Sequence, residues 1–168
     1  MNIGFIGYGN HASRLTSLLD ESSFEKILRY HPSKASEGTT NDLISLFDCD
    51  AVFITSPNET HFDYIDLLVD KSDCYIFCEK PPATTMPQLS KLKGYCEKNK
   101  GRIFFNFNYR FSALAKILQN IQDTDCIGGV MLINAAISHG LAFKDGYERS
   151  WRANYEPNKS VVLDTSLI

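Results

Sequence analysis

The sequence predicts an α/β chain: a doubly wound parallel sheet followed by an incomplete second α/β domain. Three observations carry this. An apolar run, Ile3-Gly4-Phe5-Ile6, leads directly into Gly7-Tyr8-Gly9-Asn10-His11-Ala12 and then into a helical pattern. Further apolar runs alternate with amphipathic stretches, as in a parallel sheet joined by crossover helices. Past residue 110 the pattern changes to one amphipathic helix, a glycine pair, a strand-like run and a loop richer in polar and aromatic residues. The expected division is a Rossmann-type dinucleotide-binding domain over 1–110 and the start of a second α/β domain over 111–168.

Each element has a local reason. In the G-x-G-x-x-A turn, Gly7 allows the tight turn, Gly9 lets the backbone approach a pyrophosphate, and Ala12 lets the helix pack on the strand. The helix N-terminus offers unpaired N–H groups and partial positive charge to an anion. The first helix is expected over Ala12–Asp20, with Leu15, Leu18 and Leu19 at helical spacing. Phe24–Tyr30 reads as a strand, His31–Thr40 as a polar loop with Pro32 and Gly38, and Asn41–Phe47 as a short helix. Asp50–Thr55 is a buried strand closed by Ser56-Pro57-Asn58. Asn58 or Thr60 starts the next helix, whose apolar face is Phe62, Ile65, Leu68 and Val69. Cys74–Cys78 is a strand. Thr84 or Thr85 caps a helix with Pro87 in its first turn, running to Lys98. Gly101 turns the chain into a strand over Arg102–Phe107. Phe111–Ile121 is an amphipathic helix, Gly128-Gly129 a turn, and Val130–Ser138 a strand of the second domain.

The 168 residues carry a net charge of −3, with 43% hydrophobic and 22% charged residues, an ordinary composition for a folded chain. No basic stripe stands out, which argues against a nucleic-acid binder. No apolar run is long enough to span a bilayer, and no signal peptide opens the chain, so the expectation is a cytoplasmic protein without a membrane partner. The five cysteines (Cys49, Cys74, Cys78, Cys96, Cys126) contain no C-x-x-C pair. Cys74 and Cys78 share a strand face too far apart for one metal or a disulfide. All five read as reduced, mostly buried small apolar residues, and no metal site is expected.

Ligands of doubly wound sheets gather at the carboxyl ends of the strands. Thr55-Ser56-Pro57-Asn58 and His61 fall there. On spacing alone, Asn58 reads as readily as a helix cap and His61 as a surface residue. Glu79-Lys80-Pro81-Pro82 ends the next strand on the same edge. Lys80 there can donate hydrogen bonds and serve as acid or base if desolvated, or it is an ordinary solvated loop lysine. A cis bond before Pro81 would fix its aim. At the end of the second strand, where NAD-preferring proteins place an acid, the chain has Arg29-Tyr30-His31. A guanidinium suits a 2′-phosphate, which favours NADP over NAD, although Arg29 also fits an ordinary strand end.

In this order the motifs resemble the Gfo/Idh/MocA family of NAD(P)-dependent oxidoreductases. The residues that carry it are Gly7–Ala12, Thr55-Ser56-Pro57-Asn58-Glu59-Thr60-His61, Glu79-Lys80-Pro81 and Phe107-Asn108-Tyr109-Arg110-Phe111. Ile127-Gly128-Gly129-Val130, the Trp151-Arg152 pair and Asp164 follow. The resemblance implies hydride transfer between NAD(P) and a sugar, cyclitol or similar polyol, with a second domain that holds substrate and oligomer contacts. It implies that Lys80 contacts substrate and cofactor, that Asp164 is a second catalytic group, and that Asn108, Trp151 and Arg152 reach toward the cofactor.

The chain also departs from the family pattern. Asp164 puts the proton-accepting histidine of a D-x-x-x-H pair at position 168, which is Ile168. Only one or two strands of the second domain's sheet are expected, so either the chain is truncated, or a partner covers the exposed face, or the sequence is incomplete; impaired turnover of this chain alone is expected. The alternative is a non-catalytic dinucleotide-binding remnant or regulatory module. Substrate identity and oligomeric state stay open, because the loops and the sheet that set them are missing.

Overall fold

The computed structural model describes residues 1–33, 38–125, 128–132, 134, 136 and 145–149. The chain divides into two compact units, Met1–Asn106 and Phe107–Ile168. The first is built on five strands: β1 (Asn2–Ile6), β2 (Lys26–Tyr30), β3 (Ala51–Ile54), β4 (Tyr75–Glu79) and β5 (Ile103–Asn106). They form one parallel sheet in the order β2-β1-β3-β4-β5. The order reverses between β1 and β3, and it is at the carboxyl ends of strands at such a switch point that doubly wound sheets bind ligands.

Burial on both faces explains the continuous apolar runs of β1 and β3. On one face Ile6, Val52, Ile54, Ile76 and Cys78 pack under α2 (His61–Lys71) and α3 (Met86–Lys98), with Phe62, Ile65, Leu68 and Leu92 facing them. On the other face Ile3, Phe5 and Ala51 pack against Ala12 and Leu15 of α1 (Asn10–Thr16). That second face carries a column of phenyl rings, one each from β1, β3, β4 and β5 and all in register. Phe5, Phe53, Phe77 and Phe104 stack with centroids 5.0, 4.9 and 4.9 Å apart. The column runs from buried Phe5 to exposed Phe77 and Phe104.

Several boundaries differ from the sequence expectation. α1 starts at Asn10, directly on the glycine turn, and ends at Thr16. Its last turn is tied back through Thr16 Oγ1 to the Ala12 carbonyl and Ser17 Oγ to the Arg14 carbonyl, which leaves Leu18 exposed. Asn41–Phe47 yields only a single 3₁₀ turn, Ile44–Leu46. Thr40 Oγ1 and Asp42 Oδ1 take the backbone N–H groups of Asp42 and Ile44, competing with a helix there. Thr85 caps α3 in a full capping box with Gln88, as its spacing predicts. Cys49, Cys74 and Cys78 are buried free thiols, and Cys96 is half-buried.

In the second unit a 3₁₀ turn (Asn108–Phe111) precedes α4 (Ala113–Asp123), two residues later than expected because Ser112 is the N-cap. Leu114, Ile117 and Leu118 of α4 are exposed. The strand expected over Val130–Ser138 is not formed by its described residues, Val130, Met131, Leu132, Asn134 and Ala136. Val130, Met131 and Leu132 are exposed. Among the described residues no helix is long and apolar enough to cross a membrane.

Candidate dinucleotide site

The turn after β1 is held from below. The Tyr30 carbonyl accepts the N–H groups of Gly7 at 3.0 Å and Tyr8 at 3.4 Å, and the Gly7 carbonyl accepts from Gly9 at 2.9 Å. Gly7 has φ +85°, and a Cβ there would sit 2.4 Å from Ser56 Cα and 2.6 Å from Ser56 N. No other residue fits that spot. Gly9 is a different case. Its φ of −111° suits any residue, and a Cβ there would meet no protein atom within 4 Å. Packing within the chain gives no reason for a glycine at position 9, whereas a backbone that must touch a phosphate does. Gly9, Asn10 and His11 are thus the residues of this turn that could meet a phosphate, whereas Ala12, expected beside them, is fully buried and packs α1 on the sheet.

Beside the turn, Thr55 Oγ1 donates to the carbonyls of Ile6 and Gly7 at 3.1 Å each, fixing the carboxyl end of β3 against the glycine turn. Ser56 Oγ accepts from Thr60 Oγ1 at 2.7 Å. Pro57 leads a 3₁₀ turn, Asn58–Thr60, in which the Asn58 side chain is buried. One strand further on, Glu79 ends β4 and its side chain is only 13% exposed. Its Oε1 accepts two charge-assisted bonds at 2.6 Å each, from His11 Nε2–H and from Asn106 Nδ2. That carboxylate ties the first turn of α1 to the ends of β4 and β5. Lys80 follows, and its peptide bond to Pro81 is cis.

Two expected residues support this edge from within the fold. Tyr30 is 8% exposed and its ring packs edge-on to Tyr64 in the core, so its contribution at the edge is the carbonyl that holds the glycine turn. His61 is 1% exposed, with Nδ1 2.8 Å from the Pro81 carbonyl and Nε2 2.7 Å from the Ser56 carbonyl. Neither reading as a surface residue nor direct contact with a ligand fits that enclosure.

Arg29 lies on the outer strand with its guanidinium 5.4 Å from the Tyr8 ring centroid and Nη2 2.8 Å from Glu21 Oε1. His31 Nδ1 accepts from the Ser33 backbone at 3.2 Å. Asn108 is exposed in the 3₁₀ turn of the second unit. Trp151, Arg152, Asp164 and Ile168 lie outside the described residues. Sequence reasoning missed Asn106 and Glu21. The rule that places ligands at strand ends could have found Asn106, the last residue of β5. Nothing in the sequence pattern marks Glu21, which precedes its partner's strand.

The turn, the Ser56 loop and the Glu79-Lys80-Pro81 loop follow β1, β3 and β4 at the carboxyl edge of the sheet. A family model described as oxidoreductases with an NAD-binding Rossmann fold, GFO_IDH_MocA, matches residues 1–107. The chain belongs to the Gfo/Idh/MocA oxidoreductase family. Glucose-6-phosphate 3-dehydrogenase of Bacillus subtilis is 23% identical over 94% of this chain and 48% of its own length. Inositol 2-dehydrogenase of Salmonella typhimurium is 32% identical over 56% of this chain and 28% of its own length. The crystal structure of myo-inositol dehydrogenase from Lactobacillus casei, in complex with NAD(H) and myo-inositol, superimposes with a TM-score of 0.64. It is 28% identical, covering 77% of this chain and 43% of that one. This Gfo/Idh/MocA chain thus spans less than half the length of these relatives.

Proposed function

We propose that the chain belongs to an NAD(P)-dependent oxidoreductase that transfers hydride at a sugar, cyclitol or similar polyol carbon. Gly9 carries the reading: a glycine that neither backbone conformation nor internal packing requires, on the edge where the Lys80 loop ends. A bound nicotinamide dinucleotide would supply the hydride-carrying carbon. Gly9, Asn10 and His11 would cradle its pyrophosphate, while Thr55, Ser56, Pro57 and Asn58 flank it; Ala12, fully buried, packs the helix on the sheet. Lys80 would hydrogen-bond the reacting hydroxyl, and Glu79 would orient His11 beside it. Asn108, Trp151 and Arg152 are proposed as further cofactor contacts, and Asp164 as the second catalytic group. With Ile168 where the family pattern expects a proton acceptor, turnover is expected to be slowed by roughly 10²–10⁴-fold.

For the dinucleotide we favour NADP. Arg29 is paired with Glu21, whose side chain is 62% exposed. A pair this exposed on the Glu21 side is worth only about 0–1 kcal/mol, so little opposes transfer of the guanidinium to a 2′-phosphate, which it can bind with charge-assisted bonds. Thermal melting with NADPH and with NADH tests the reading. A ligand bound only by the native state adds about 2.7 kcal/mol at a hundredfold excess over its Kd. The expected result is a larger rise with NADPH, lost in Arg29→Ala, and oxidation of a polyol from a broad panel. No rise with either dinucleotide refutes the reading.

A further inference from the structure

Between the Ser56 loop and the Lys80-Pro81 loop stands a single enclosed ring. His61 opens α2 at 1% exposure, yet its ring nitrogens serve neither that helix nor solvent. One faces the carbonyl of Ser56 at 2.7 Å and the other the carbonyl of Pro81 at 2.8 Å. These carbonyls follow adjacent strands, β3 and β4, and the two loops carry different tasks in the functional reading above. A space filler at this depth would be apolar, because an unpaired buried polar atom is costly. Both partners are acceptors, so each ring nitrogen faces a carbonyl of its own loop.

We propose that His61 is a positioning residue with two separable actions. Through Nε2 it sets the Ser56-Pro57-Asn58 loop for the dinucleotide. Through Nδ1 it sets the Lys80-Pro81 loop, and so the Lys80 amine, for the reacting end. The inference rests on the proposed function, and its test separates the two.

Asparagine places an amide nitrogen close to the position of Nδ1, and glutamine close to that of Nε2. His61→Asn therefore keeps the bond to Pro81 and gives up Ser56, whereas His61→Gln does the reverse. Two readouts on the full chain follow these bonds: the NADPH Kd by calorimetry, and protection of Lys80 by NADPH against acetylation, read by mass spectrometry at saturation. His61→Asn is expected to weaken NADPH about tenfold while Lys80 stays protected once the site is filled. His61→Gln is expected to hold the Kd within about twofold and to lose the protection. Leu92→Ala, in α3 and 3% exposed, serves as a control that lowers Tm without moving either readout.

If the two variants lose both readouts together, or if Leu92→Ala moves the readouts as much at equal loss of Tm, His61 is structural and the inference falls. If the unsubstituted chain binds no NADPH or NADH, the proposed function falls and takes the inference with it. Those failures are distinguishable, because the first requires a chain that binds.

Discussion

Gly7 and Gly9 stand two residues apart in the same turn, and alanine at each is expected to fail in a different way. At Gly7 the ordinary van der Waals range begins at 3.4 Å, so a Cβ placed 2.4 Å from Ser56 Cα is about 1 Å too close to backbone. The left-handed conformation at φ +85° adds roughly 1–2 kcal/mol for any residue with a Cβ. Forcing the β3 loop outward adds about 1–3 kcal/mol, giving a loss of about 3 kcal/mol. For a domain of about 100 residues that is a fall in Tm on the order of 15 °C. Gly9→Ala meets neither cost. It should raise stability by about 0.4–1 kcal/mol through the unfolded chain. Its methyl would instead stand between backbone and pyrophosphate, and NADPH affinity should fall by about tenfold or more, a change of about 1.4 kcal/mol. Circular dichroism melts and calorimetric titration of both variants read these outcomes. Equal loss of Tm in the two variants, or unchanged NADPH affinity in Gly9→Ala, would refute the assignment of Gly9 to the ligand.

Other perturbations follow from the same edge. Lys80→Ala should lower kcat for polyol oxidation by about 10²–10⁴-fold with the melting temperature unchanged, measured by absorbance of the reduced dinucleotide. Arg29→Ala should raise the Kd for NADPH by about tenfold and leave that for NADH nearly unchanged, since only the former offers the guanidinium a phosphate. Burial, with Cys74 nearby, pushes the Cys49 thiol up to about 11 from 9.0, and burial beside Tyr30 pushes the Tyr64 phenol up to about 12 from 10.0. The native chain then keeps protons that the unfolded chain has lost. Stability is intact below pH 9 and declines as pH rises toward 12. Melting from pH 7 to 11 should show that decline, and Tyr64→Phe should make it shallower.

The strands were legible because burial on both faces leaves an unbroken signal in runs such as Ala51-Val52-Phe53-Ile54. The α3 start was legible because Thr85 and Gln88 answer each other over three residues. Contacts local in sequence can be read from sequence. The bonds that assemble the edge are not local: His11 reaches Glu79 across 68 residues, and Asn106 reaches the same oxygen across 27. The motif at His61 marks a histidine near the site without saying that its ring faces inward. Only the packing of α2 against the two loops decides that. The helix over Asn41–Phe47 failed for the opposite reason: Thr40 and Asp42 offer the backbone local partners that an amphipathic pattern does not register.

The shared oxygen of Glu79 has a consequence for anyone who would rebuild this edge. His11, Glu79 and Asn106 come from three separate segments, yet one carboxylate oxygen closes them into a single joint. Such a joint cannot be exchanged piecewise. A glycine turn transplanted with an apolar residue at position 11 would strip the largely enclosed carboxylate of one of its two donors. A β5 lacking Asn106 would strip it of the other. Chimeras that swap one segment should therefore perform worse than chimeras that swap all three, and the exchangeable unit is the edge as a whole, not any loop within it.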